Sequence, residues 1–172
     1  MRKIPRPNFY TSQVRALSTL ALLLLLALLP GCNTGNPSFG LIGKPGPALH
    51  LPSQPLAADR GHVVLINFWA SWCGPCLQEF PSLVQLQQKL PQVRILAVSF
   101  DEDPEAYQAF LIRHPFPLHM ALDSSGISSS AYGVTAPPET YVLDTHGIVR
   151  RKFIGAQDWT TPEILGYLRA LQ

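Results

Sequence analysis

Residues 62–76, HVVLINFWASWCGPC, decide how the chain is read. From His62 to Ala70 they form a nearly continuous apolar, β-rich run ending in a turn, the profile of a central strand buried on both faces. Just beyond, Leu77, Phe80, Leu83, Val84, Leu86 and Leu90 recur at spacings of three and four, which predicts an amphipathic helix from about Cys73 to Leu90. Two cysteines three apart therefore sit where a buried strand turns into a helix. A thiol at a helix N-terminus lies beside unpaired amides and the positive end of the helix dipole, which stabilise thiolate and bring its pKa from about 8.5 to about 7 or lower. Cys73 is thus the expected attacking sulfur. Cys76, one turn inside and more shielded, is placed to resolve a mixed disulfide by closing the short ring.

Beyond this segment, Val93 to Phe100 predicts a second buried strand and Pro104 to Arg113 a second helix with Pro in its first turn. Ala48 to Leu51 reads as a short edge strand and Leu56 to Asp59 as a turn of helix. Pro117 to Ala121 and Glu139 to Leu143 read as further strands, and Asp144-Thr145-His146-Gly147 as a hairpin turn into Ile148 to Ile154. Arg150-Arg151-Lys152 reads as a solvated strand or edge. A last helix opens at Thr160 or Thr161, with Pro162 and Glu163 at its positive end. Strand, helix, strand, helix, then a hairpin and a helix predict an α/β fold, a mixed central sheet flanked by helices.

The N-terminus follows another logic. Ala16 to Leu29 is apolar except for Ser18 and Thr19, and its 14 residues fall short of the roughly 20 that span a bilayer. Arg2, Lys3, Arg6 and Arg15 precede it and no acidic residue does, so it reads as an export signal. Leu29-Pro30-Gly31-Cys32 resembles a bacterial lipobox, which makes Cys32 the expected lipidated first residue; an uncleaved signal anchor is the alternative. The expected division is 1–31 signal peptide, 32–45 tether and 46–172 folded domain, the stretch Asn33 to Pro47 being dense in Gly, Pro, Asn and Ser. Either way the domain is held to a membrane, facing the periplasm or extracytoplasmic space. Of the 13 basic residues the signal takes four, leaving nine against 11 acidic ones, so no basic surface for nucleic acid remains. With Cys32 assigned to lipid, Cys73 and Cys76 are the remaining cysteines, which excludes both a disulfide framework and a four-ligand zinc site. No cofactor is expected beyond a redox-active Cys73–Cys76 disulfide, and the five histidines show no metal spacing.

VVLINFWASWCGPC resembles the thioredoxin superfamily. Asn67-Phe68-Trp69-Ala70, Cys76-Leu77-Gln78-Glu79-Phe80-Pro81 and Pro138-Glu139-Thr140-Tyr141-Val142-Leu143-Asp144 are similar to its TlpA, ResA and CcmG (DsbE) branch of membrane-tethered bacterial thiol-disulfide oxidoreductases, from about Gly43 to the C-terminus. The resemblance implies a thioredoxin-like fold and a reducing enzyme acting on protein disulfides, among them apo-cytochrome c or its assembly partners, recharged by a transmembrane thiol carrier. It implies that Pro138 is a cis-proline packed against the cysteine pair, exposing a backbone edge to substrate. Pro137 before it has no N–H, so a substrate strand has only its carbonyl to bond there. Trp69 and Trp72 are expected beside the site, Trp72 as a substrate contact.

Asn67 stands where cytoplasmic thioredoxins carry an aspartate, and an amide takes no proton. Glu79 lies about 60° round the helix from Cys76 in the apolar sector, where a half-buried carboxylate of raised pKa would shuttle the Cys76 proton; the plain alternative is a Glu supporting the first helical turns. Glu102 is either a second acidic group near the site or part of a solvated loop. Two other functions stay open: a thiol oxidant or isomerase, disfavoured by Gly74-Pro75, and a copper carrier, disfavoured because copper-delivery relatives of this fold use a CxxxC pair with a distant His.

Overall fold

The computed structural model describes residues 39–52 and 60–172. The export signal, Cys32 and the helical turn expected at Leu56 to Asp59 lie outside the described residues. Five strands make one sheet: β1 (Val64–Trp69), β2 (Arg94–Ser99), β3 (His119–Leu122), β4 (Glu139–Leu143) and β5 (Val149–Ile154). Their spatial order is β3-β2-β1-β4-β5. β1 and β2 pair in parallel, as do β2 and β3, whereas β4 is antiparallel to both β1 and β5. The parallel pairs need crossovers, which α1 (Gly74–Lys89) and α2 (Pro104–Arg113) supply. A short α3 (Ile127–Ala131) precedes β4, and α4 (Pro162–Ala170) ends the chain.

β1 is buried at every position, as its unbroken apolar run requires. One face of the sheet takes Leu65, Trp69, Ile95, Ala97, Val142 and Phe153 into a core with residues of α1, α2 and α4; the other takes Ile66, Phe68, Val98, Tyr141 and Leu143 into a core with Tyr132. Pro81 stands inside α1, where a proline removes a backbone bond at a cost of about 3 kcal/mol. Phe80, Leu83 and Leu86 beside it are fully buried, and at about 1.5–3 kcal/mol each their burial outweighs that loss.

Three local expectations give way. Ala48 to Leu51 is not a strand; instead Pro45 forms an isolated bridge with Ile148, and Gly43, Lys44 and Gly46 exchange backbone bonds with Gly147 and Val149. A Cβ at Gly46 would stand 2.7 Å from Leu143 Cδ2, so only glycine lets this segment lie so close to β4. The helix α3, absent from the sequence reading, is fixed by a buried carboxylate: Asp123 accepts the N–H groups of Ser128 and Ser129 at 3.3 and 2.7 Å. Gly126, in the left-handed region at φ 67°, makes the turn into it.

Third, Arg150-Arg151-Lys152 does lie on an edge strand, β5, but that strand is not uniformly solvated. Lys152 is buried, its Nζ 2.6 Å from Glu139 Oε2 and over the Tyr141 ring. An unpaired buried ammonium costs several kcal/mol, so this lysine is inside because Glu139 meets it across the hairpin. Arg150 pairs instead with Asp144 at 2.7 Å, and Arg151 lies over Phe153.

Candidate active site

Cys73 is the N-cap of α1, and its Sγ accepts the N–H of Cys76 at 3.2 Å. The two sulfurs are joined in a disulfide with Cα atoms 5.3 Å apart. Both cysteines are buried, Cys73 at 4% exposure and Cys76 at 1%. Pro75 falls in the first turn of the helix, where its missing N–H leaves no orphan and its fixed φ suits helix entry. The free amides and dipole of α1 therefore point at Cys73, which favours negative charge on that sulfur once the disulfide opens.

Glu79 lies about one turn along α1 from Cys76 and is 2% exposed, deeper than the half-burial its helical phase suggested. Its Oε1 accepts Trp159 Nε1 at 2.5 Å and the Gln157 N–H at 3.2 Å, while Oε2 accepts Asn67 Nδ2 at 3.2 Å. Burial pushes its pKa from 4.5 up to about 7, against the three hydrogen bonds, which favour the carboxylate. Asn67 also donates to Thr140 Oγ1 at 2.9 Å, and its own Oδ1 has no partner among the described residues. Ser82 ties the same corner together, its Oγ bonding the Glu79 carbonyl at 2.8 Å and receiving the Trp159 N–H at 3.2 Å. Trp159 is the residue the sequence reading passed over. Its signal was a tryptophan just before the last helix, and its role needs the fold to bring the β5–α4 connection back onto α1.

The Pro137–Pro138 peptide bond is cis. Glu139 pairs with Phe68 across β1 and β4, so Pro138 belongs to the same sheet end as the turn from Trp69 to Cys73. Pro138 is buried and its carbonyl accepts the Gly155 N–H at 2.9 Å, while Pro137 is half-buried. The loop before them is tied back, since Glu139 Oε1 accepts the hydroxyl of Thr135 at 2.9 Å and its N–H at 3.3 Å.

The two tryptophans expected at the site part company. Trp69 is fully buried among Phe80, Tyr107 and Phe110, whereas Trp72 is 68% exposed, its ring edge-on to Phe100 at 6.1 Å. A surface hollow beside Trp72 is lined by Ser71, Phe100, Asp101, Glu102, Asp103 and Ala106. Glu102 is exposed there and takes no part in the hydrogen bonds that hold Glu79. Among the described residues no three His, Cys, Asp or Glu groups converge as a metal site, and no helix is long and apolar enough to cross a membrane.

The Redoxin family model matches residues 37–168. The thiol:disulfide interchange protein DsbE homolog of Paracoccus denitrificans (strain Pd 1222) is 36% identical over 123 residues, 67% of each chain. The thiol:disulfide interchange protein DsbE of Pseudomonas aeruginosa is 35% identical over 127 residues, 69% of each chain. The crystal structure of a thiol:disulfide interchange protein DsbE from Chlorobium tepidum aligns with a TM-score of 0.66 at 31% identity, covering 76% of this chain and 94% of that one.

Proposed function

The chain belongs to the Redoxin family and is a thiol-disulfide oxidoreductase, and from that premise we propose that it reduces protein disulfides outside the cytoplasm. The observation that carries this is the Cys73–Cys76 pair at the start of α1, with Cys73 as N-cap and a carboxylate of raised pKa one turn beyond Cys76. In the reduced protein the Cys73 thiolate attacks a substrate disulfide, and the departing substrate sulfur takes up a proton. Cys76 then loses its proton to Glu79 and attacks Cys73 Sγ. The second substrate sulfur leaves Cys73 as a thiolate and takes up a proton from solvent, two electrons and two protons have passed to the substrate, and the disulfide described above is restored. We assign Trp72, exposed one residue before Cys73, and the Pro137–Pro138 loop at the same end of the sheet as substrate contacts, with a membrane thiol carrier returning the electrons.

The direction rests on Gly74-Pro75, the dipeptide of reducing thioredoxin centres near −270 mV, without the His of oxidising centres near −120 mV. We assign disulfides of apo-cytochrome c or its assembly partners as substrates, and the periplasmic or extracytoplasmic face of a membrane as the location, with the anchor a lipid on Cys32. Insulin-disulfide reduction by the dithiol form, run beside copper analysis of the purified protein, tests the reaction. Turnover with a copper content near zero is expected; stoichiometric copper without turnover would replace the reductase by a metal carrier. Intact mass measurement tests the anchor: the mature chain should begin at a lipid-modified Cys32, and a chain still starting at Met1 would sink it.

A further inference from the structure

Asp101 is a buried carboxylate that the reaction above does not use. It is 3% exposed at the end of β2, and it holds the turn that carries Cys73. Its Oδ1 accepts Ser71 Oγ at 2.8 Å, and its Oδ2 accepts the Ser71 N–H at 2.9 Å and Ser99 Oγ at 2.6 Å. Every donor is neutral, and among the described residues no Lys, Arg or His pairs with it. The charge is therefore spread over hydrogen bonds but not cancelled. It reaches its surroundings: the Tyr107 hydroxyl on α2 is pushed above its usual range first by burial and then by this carboxylate. Ser71 is two residues before Cys73, so their Cα atoms lie within about 7 Å.

We propose that Asp101 is a positioning residue that also sets the reducing strength of the pair: it locks the Ser71–Cys73 turn while its negative charge opposes thiolate formation on Cys73. A less stable thiolate means a less stable dithiol, and the couple surrenders its two electrons and two protons to a substrate disulfide more readily. The charged groups that line the hollow with Asp101 are also acidic, Glu102 and Asp103 from the β2–α2 loop; the acidic residue of α1, Glu79, is turned to Asn67, Gln157 and Trp159. The opposing influence is the N-terminus of α1 with the Cys76 N–H on Cys73 Sγ. Two unit charges about 10 Å apart in a medium of effective dielectric about 20 alter an equilibrium by roughly tenfold.

This inference rests on the pair working as a reductant. Its test uses the full chain equilibrated with reduced and oxidised glutathione, together with thiolate absorbance against pH. Asp101→Asn keeps the shape and removes the charge, and is expected to favour the dithiol by about tenfold, near 30 mV, with a lower Cys73 pKa. Ser71→Ala keeps the charge and loosens the turn, and should move the equilibrium less than about twofold. Should Asp101→Asn fail to fold, Asp101→Ser carries the same expectation. The proposal is overturned if the charge-removing variant stays within twofold of the parent, or if Ser71→Ala shifts it equally. The equilibrium needs no protein substrate, so the expected shift with no insulin reduction would sink the reductase reading and spare this one.

Discussion

Cys73→Ser is expected to bring protein-disulfide reduction to background, a loss of about a thousandfold or more, because a serine hydroxyl at the N-cap keeps the helix and loses the nucleophile. Cys76→Ser should behave differently. It leaves the first attack in place and removes the step that discharges the mixed disulfide, so the variant should accumulate covalent adducts with its substrates. The 3.2 Å bond from the Cys76 N–H supports the asymmetry, since it stabilises charge on Cys73 and not on Cys76. Non-reducing electrophoresis of the two variants after exposure to a disulfide substrate reads the result. Equal trapping by both would show the order of attack to be wrong. The adducts captured by Cys76→Ser, identified by mass spectrometry, also test the cytochrome assignment.

The parts of this fold that were legible in the sequence are those whose residues state their own surroundings. The run VVLINFW has no polar residue but Asn67, and such a strand has no solvated face to occupy. The three-and-four spacing of Leu77, Phe80, Leu83 and Leu86 fixes both the helix and the face it buries, and Cys73 falls at its cap for the same reason. What stayed hidden depends on partners far away in the chain. Lys152 reads as surface until the hairpin register sets it opposite Tyr141 and diagonal to Glu139, which it meets as an ion pair. α3 has no apolar repeat in Ile127-Ser128-Ser129-Ser130-Ala131, and only the Asp123 side chain makes it a helix. Asp101 stands in the acidic stretch Asp101-Glu102-Asp103 with nothing local to mark it as buried, yet it accepts hydrogen bonds from Ser99 and from Ser71, 30 residues away. In each case a local pattern gives the side chain's chemistry and the topology gives its partner.

Glu79 shows both halves of that lesson and carries the other large expectation. Its helical phase was readable, but not the indole of Trp159 or the amide of Gln157 that enclose it. With a pKa near 7 it is protonated and unprotonated in comparable amounts at neutral pH, the condition under which a general base is most effective. Its carboxylate form accepts the proton of Cys76, so resolution of the mixed disulfide should accelerate as pH rises through about 7. Glu79→Gln should slow that step about a hundredfold, within the usual range for a positioned base, and should remove the inflection. The attack by Cys73 should stay largely intact, which separates a proton role from a structural one. Stability supplies an independent reading. Because burial raises the folded pKa from 4.5 to about 7, the folded state binds the extra proton, and this contribution is full below pH 4.5 and lost as pH rises through 7. Relative to the parent, Glu79→Gln should therefore gain stability between those limits, by up to about 3 kcal/mol. The glutamine keeps Oε1 for Trp159 and Gln157, and its amide would meet the unpartnered Oδ1 of Asn67 once that side chain turns over. Single-turnover kinetics and thermal melts from pH 5 to 9 on both proteins decide the matter. Wild-type resolution rates across that range would leave Glu79 a helix-stabilising residue and pass the proton to water.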